Sequence, residues 1–168
     1  MMKILATSLC VFLLQSCAYV TVSAPQLGAL RDLFPQEGEV DFSPFTWELL
    51  WGGDAQSVVA VTVRDQVVFT EPGGVTVTFD GWQVRRVTGL LGPEPVNLNV
   101  DEMGRMRIDI AGRQVYEGRC SAWTRNAAGY SQACEGLGAN FIGLGPQENI
   151  TRLSFIIHPA YPALSLRR

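Results

Sequence analysis

The sequence contains little histidine, cysteine or lysine, and this scarcity argues against several kinds of chemistry. His158 is the one histidine, and no G-x-S-x-G nucleophile turn is present, so a serine hydrolase is not indicated. The four cysteines do not form two pairs at ligand spacing, which disfavours a zinc site. The glycine-rich residues 136–145 lack the Lys-Ser/Thr pair of a phosphate-binding loop. We therefore expect neither a metal nor any other cofactor.

A catalytic carboxylate pair cannot be recognised either, and the charge balance is acidic. Glycoside hydrolysis needs two carboxylates that face each other across a cleft, but a turn explains Asp80 and a solvated loop explains Asp101. The chain has 16 acidic and 13 basic residues, with a net charge of −3. This balance disfavours nucleic-acid binding, which needs clustered positive charge. We expect a protein that is not an enzyme and does not bind nucleic acid.

No apolar segment at the N-terminus is long enough for a transmembrane helix, which needs roughly 20 residues. Instead, Lys3 precedes the short apolar residues 4–14, and Leu14-Gln15-Ser16-Cys17 follows. This order is typical of a secretory signal, and its last four residues resemble the bacterial lipobox. We predict cleavage before Cys17 and lipidation of its thiol. The alternative is an ordinary signal peptide that is cut elsewhere.

The expected location is the outer membrane, with the protein lipid-anchored and facing the periplasm. Ala18 follows the lipidated cysteine, where an aspartate would favour retention in the inner membrane. Several acyl chains on one cysteine give a durable anchor. We predict a signal peptide over residues 1–16, a tether over 17–24 and a single mostly-β domain over 25–168.

Two cysteines remain in the mature domain, because Cys10 leaves with the signal peptide and Cys17 carries lipid. Cys120 and Cys134 form an even pair in an oxidising compartment, so we predict a disulfide between them. It would staple a hairpin and close a loop of roughly 15 residues, which contributes about 3 kcal/mol in the chain-entropy model.

The hydropathy pattern predicts an all-β fold, an antiparallel sandwich or an open barrel with a short irregular or helical N-terminal segment. Residues 19–57 read as irregular, with a short helix at 26–33. From residue 57 onward apolar and polar side chains alternate, which indicates strands joined by glycine-rich turns. Asp80-Gly81 predicts a type I′ hairpin turn. The pattern places the last strand at 151–157 and predicts that regular structure ends at Pro159 and Pro162.

The binding candidates are arginines and tryptophans on these strands. Arg105 and Arg107 share one strand face, and a neighbouring hairpin carries Arg85 and Arg86 beside Trp82. If the hairpins are adjacent, these arginines would form a basic patch for an acidic polysaccharide. The alternative is a solvated face with local salt bridges. Similarly, Trp82 and Trp123 could stack on sugar rings or serve only in packing.

Two segments of the chain resemble the YjbF/GfcB family of lipoproteins, which are tied to capsule and exopolysaccharide production. Residues 79–90, FDGWQVRRVTGL, resemble the family's strand–turn–strand motif. The tail, which starts with CEG at 134–136 and includes Phe141, resembles the family's closing segment, with ITRLS at 150–154 and PAYPAL at 159–164. The tail lacks the family's N-x-Y-W group, and Phe155 stands where glutamine is common. The resemblance implies an all-β fold, no catalytic residues and a final apolar strand after the second proline.

The resemblance also implies an accessory part in producing or exporting capsular polysaccharide or exopolysaccharide. The expected partners are the outer membrane, through the lipid, and an acidic polysaccharide or proteins of the secretion apparatus. The alternative is a periplasmic protein-binding lipoprotein such as a lysozyme inhibitor, although the Ser-Gly-rich loop of such inhibitors is not evident.

Overall fold

The computed structural model describes residues 45–168, which form one antiparallel sheet of 13 strands and contain no α-helix. They belong to one compact unit. The all-β prediction is therefore confirmed. The signal peptide, Cys17, the tether and the helix expected at 26–33 lie outside the described residues. The strands are β1 (Thr46–Trp51), β2 (Asp54–Val63), β3 (Gln66–Thr70), β4 (Thr76–Phe79), β5 (Val84–Thr88), β6 (Val96–Val100), β7 (Arg105–Ile110), β8 (Arg113–Arg119), β9 (Thr124–Asn126), β10 (Gly129–Cys134), β11 (Gly138–Leu144), β12 (Ile150–Phe155) and β13 (Leu164–Arg167).

The sheet has an up-and-down topology. Its strand order runs from β8 down to β1 and then from β13 down to β9. Each strand therefore pairs with the next one in the chain, except between β8 and β9, and β1 pairs with β13. The sheet curls into a half-barrel, so the open-barrel form of the prediction describes it better than two separate sheets.

Alternation of side chains places the hydrophobic core on the inner face of the curled sheet. On β4 and β5, the buried residues Val77, Phe79, Val84 and Val87 point inward, whereas their strand neighbours are more exposed. Burying a side chain of this size contributes about 1.5–3 kcal/mol. Other fully buried side chains come from strands around the whole sheet: Leu49, Val58, Met106, Ile108, Leu153, Phe155, Leu164 and Leu166.

Besides the short β9, which lies in a segment expected to be a turn at residues 124–129, three strands lie where the sequence pattern predicted irregular structure. β1 falls within residues 19–57, and its Trp47 and Leu49 are buried against the core. β11 falls within the glycine-rich segment, where Ile142 is buried. β13 follows the two prolines, so the prediction that they end regular structure is wrong. Since β13 pairs with β1 as well as β12, contacts distant in sequence stabilise this short strand.

The hairpin predicted at Asp80-Gly81 is confirmed, but its type I′ turn is wrong. Phe79 on β4 pairs with Val84 on β5, which leaves a loop of residues 80–83. A type I′ turn needs positive φ at both central residues. Gly81 has a φ of 99°, whereas Asp80 is not among the residues with positive φ.

The predicted disulfide between Cys120 and Cys134 is present and buried. It lies at the break between β8 and β9, where the two cysteines form an isolated antiparallel bridge. Ser121 N donates to Ala133 O at 2.8 Å, and Glu135 N donates to Arg119 O at 2.8 Å. The disulfide and these two hydrogen bonds join the end of β8 to β10, and we call this junction the seam.

Candidate glycan-binding surface

The loop between β4 and β5 presents Trp82 to solvent. The backbone of this loop is fixed by Asp80, whose Oδ1 accepts hydrogen bonds from the amides of Trp82 at 2.9 Å and Gln83 at 2.7 Å. The other carboxylate oxygen of Asp80 accepts a bond from Arg85 Nε at 2.5 Å. Trp82 as a residue is 49% exposed. The loop therefore presents a large aromatic side chain on a locally fixed backbone.

The charge of Asp80 is part of this arrangement. Burial raises the pKa of its carboxyl, but the amides of Trp82 and Gln83 and the Arg85 guanidinium outweigh burial and hold the pKa below its ordinary value of 3.8. Asp80 is therefore an ionised hydrogen-bond acceptor at neutral pH.

Trp82 belongs to an aromatic patch, which we define as Trp82, Trp123 and Tyr130. The ring centroid of Trp82 lies 5.2 Å from that of Tyr130, edge to face, and 6.0 Å from that of Trp123. Trp123 in turn packs edge to face on the buried Phe155, with 6.2 Å between centroids. Such ring pairs contribute about 0.5–1.5 kcal/mol beyond the area they bury. The patch is thus continuous with the core.

A buried polar network holds the loop from beneath. Gln83 Nε2 donates to Gln132 Oε1 at 3.1 Å, and Asn140 Nδ2 donates to the same oxygen at 3.3 Å. Asn140 Oδ1 accepts from the amide of Ile156 at 3.0 Å, and Gln132 Nε2 donates to Ser121 O at 3.1 Å. These bonds connect the loop that carries Trp82 to β10, β11 and the chain beside the seam.

The rim of the aromatic patch carries charges of both signs. The guanidinium carbon of Arg125 lies 5.7 Å from the centroid of the Tyr130 ring, which is a cation–π distance. Arg125 Nη2 also donates to Glu148 Oε1 at 2.5 Å. Together with the Asp80–Arg85 pair, this gives two ion pairs around the patch, each of which is electrically neutral.

The four arginines singled out from the sequence do not share one set of contacts. Arg85 pairs with Asp80, Arg105 pairs with Asp101 at 2.7 Å, and Arg107 pairs with Asp109 at 2.9 Å. Arg86 lies opposite Asn97 on β6, which separates β5 from β7. Local ion pairs therefore hold three of the four, in agreement with the salt-bridge alternative.

Sequence reasoning missed Tyr130, Arg125 and Glu148. Each is an ordinary polar or aromatic residue in its own segment, and only the curl of the sheet brings β9 and β10 to the loop that carries Trp82. Trp123 was noted as a residue able to stack on sugars, but nothing in the sequence placed it beside Trp82. The sequence signal that pointed to this surface was Trp82 itself, since a tryptophan next to a hairpin turn is not expected to be buried.

Two open grooves lie elsewhere on the described residues. One of 480 Å³ lies near the ends of β1, β2 and β13, with Gln56, Glu48 and Arg167 in its lining. The other, of 380 Å³, lies beside the seam between Arg105 and Glu135. Neither gathers a set of catalytic side chains.

Within residues 45–168, His, Cys, Asp and Glu side chains form no group that could hold a metal ion. The same residues include no helix with the length and apolar character needed to cross a membrane. No protein-family model, curated protein or solved structure matches the chain.

Proposed function

We propose that this chain is an exported lipoprotein, anchored through Cys17 in the outer membrane, that assists production or export of a capsular polysaccharide or exopolysaccharide. It acts as an accessory, non-catalytic factor that binds glycan or a component of the secretion apparatus. The observation that carries this proposal is the aromatic patch, because the exposed Trp82 beside the half-buried Trp123 and Tyr130 offers apolar ring surface with polar edges, which suits partly apolar ligands such as sugars.

The disulfide supports an export destination. Buried disulfides persist in oxidising compartments such as the periplasm, and the cytosol keeps thiols reduced. Cys120 and Cys134 are both buried and bonded in a domain of ordinary size. This agrees with the signal-like N-terminus and the lipobox-like residues before Cys17.

Binding is favoured over catalysis by the state of the carboxylates near Trp82. A glycosidase needs one carboxylic acid whose pKa is raised so that it can donate a proton. The pKa of Asp80 is lowered instead, since its burial is outweighed by amide bonds and Arg85. Glu148 is exposed and paired with Arg125. These carboxylates are suited to holding structure and accepting hydrogen bonds.

The test is the yield of cell-surface and released polysaccharide in a strain that lacks this gene. The deletion strain is compared with two complemented strains, one that carries the wild-type gene and one that carries a Cys17→Ala gene. We expect the deletion to lose polysaccharide and only the lipidated form to restore it. The Cys17→Ala protein must be present at wild-type abundance for the comparison.

Unchanged polysaccharide in the deletion strain, under conditions in which the parent makes it, would overturn the proposal. The protein-binding alternative would then be tested by measuring whether the purified chain inhibits lysozyme. Restoration by Cys17→Ala would overturn only the requirement for an anchor.

A further inference from the structure

We infer that the aromatic patch binds the apolar face of a neutral sugar ring within a polysaccharide. This inference rests on the proposed function and names its substrate class. It differs from the acidic partner that the arginines alone would suggest.

The stacking surface comes from Trp82. Its rings pack against Tyr130 and Trp123, with centroids 5.2 and 6.0 Å away, and about half of the residue remains accessible, at 49%. A pyranose ring has a face of C–H groups, which packs well on an indole because the indole is large, rigid and apolar with a polar edge. Stacking of this kind needs one accessible ring face and does not need coplanar neighbours.

The polar rim explains the preference for neutral sugars. Arg85 is held by Asp80, and Arg125 is held by Glu148, both at 2.5 Å between nitrogen and oxygen. Each pair offers donor N–H groups and acceptor oxygens to hydroxyls, which can both donate and accept. A sugar carboxylate would gain less at these guanidiniums than at an unpaired arginine, because Asp80 and Glu148 already neutralise them and would repel its charge.

The support beneath the patch limits the entropy cost of binding. Asp80 fixes two amides of the Trp82 loop, and the buried Gln83 joins the loop to Gln132 in the core. A ligand that stacks on Trp82 therefore orders little that is not already ordered, which favours affinity.

The experiment measures the binding of the purified full-length lipoprotein, held in a detergent without a sugar headgroup, to immobilised polysaccharides. The neutral probes are dextran, mannan and galactan, and the acidic probe is polygalacturonate. We expect binding to at least one neutral probe, weaker or no binding to polygalacturonate, and little change between low and high salt, because screening weakens only charge-driven binding.

The informative variant is Trp82→Ala, with Tyr161→Ala as the matched control. Tyr161 is 48% exposed and contacts Trp51 and His158, so it matches Trp82 in exposure without belonging to the aromatic patch. We expect Trp82→Ala to raise Kd by at least about tenfold, which is a loss of about 1.4 kcal/mol in binding free energy. Tyr161→Ala should bind as the wild type does. Thermal unfolding of both variants shows that each is folded.

Three results would overturn the inference: no binding to any neutral probe, binding to polygalacturonate alone, or unchanged binding by a folded Trp82→Ala protein. None of them decides the polysaccharide yield of the deletion strain, which is measured separately. Neutral-glycan binding together with an unchanged yield would retain this site and overturn the proposed function.

Discussion

At the scale of single residues, Asp80 fixes the backbone of the exposed loop that carries Trp82. An Asp-Gly pair between two alternating apolar segments predicts a hairpin, and the hairpin is present. The sequence could not show that the aspartate side chain would replace the expected turn geometry by bonding two amides and Arg85. The sequence also could not show that the buried Gln83 of this loop would donate a hydrogen bond to Gln132, 49 residues away.

The Asp80 contacts predict a pH-dependent contribution to stability. Because the folded-state pKa of Asp80 lies below its ordinary value, its contribution is present above about pH 4 and is lost as pH falls through the folded pKa. Asp80→Ala should lower the free energy of unfolding by about 1–2 kcal/mol at pH 7. The free energy of unfolding of this variant should also fall less steeply as the pH is lowered. Urea denaturation at pH 7 and at a series of lower pH values measures both effects.

The control for this prediction is Asp65→Ala, in the turn between β2 and β3. Asp65 is exposed, and no side-chain hydrogen bond of Asp65 is found among the described residues. Its variant should keep the wild-type pH dependence. Some acid sensitivity should remain in Asp80→Ala, since bonds from the amide and side chain of Arg105 lower the pKa of Asp101 as well. Equal slopes in the wild type and Asp80→Ala would contradict the role given to Asp80.

At the scale of elements, the period-two pattern predicted the strands that have one buried and one polar face. β4, β6 and β7 follow this rule, as the alternation of Arg105 and Arg107 with the buried Met106 and Ile108 shows. β11 could not be predicted in this way, because its buried residues include Asn140, which is 0% exposed. A buried asparagine is stable only with partners, and these come from β10 and the end of β12.

The seam between β8 and β10 is the element-scale feature most open to test. Two backbone hydrogen bonds and the disulfide join its two sides, and bonds such as Tyr116 Oη to Glu135 O and Gln132 Nε2 to Ser121 O also cross it. Replacing both Cys120 and Cys134 with alanine should lower the free energy of unfolding by about 3 kcal/mol. It should also raise hydrogen exchange selectively at the amides of Ser121 and Glu135, because these amides close the seam. Denaturant unfolding and site-resolved exchange measure the two effects.

A destabilised protein with an intact disulfide provides the control. Val87→Ala removes buried volume from β5 and should cost roughly 1–3 kcal/mol without touching the seam. Its exchange should rise across the domain rather than at Ser121 and Glu135. If the double cysteine variant shows the same uniform increase, the disulfide does not act locally at the seam.

At the scale of the whole molecule, composition and alternation were enough to predict an all-β domain with a disulfide. The pairing that joins the two halves of the sheet was not predictable, because β1 and β13 lie at opposite ends of the described chain and carry no local signal for each other. The aromatic patch depends on the same curl. Trp82 could be proposed from the sequence, whereas its ring neighbours and its ion-paired rim emerge only when β4 and β5 face β9 and β10.

The two proposals together assign polysaccharide production to an anchored β-domain that acts through the aromatic patch. The most direct test of this assignment replaces the chromosomal gene with Trp82→Ala or Tyr161→Ala and compares surface polysaccharide at equal protein abundance. We predict that Trp82→Ala lowers the yield toward that of the deletion strain and that Tyr161→Ala leaves it at the wild-type level. A wild-type yield from Trp82→Ala cells, in a strain whose deletion does lose polysaccharide, would contradict this assignment.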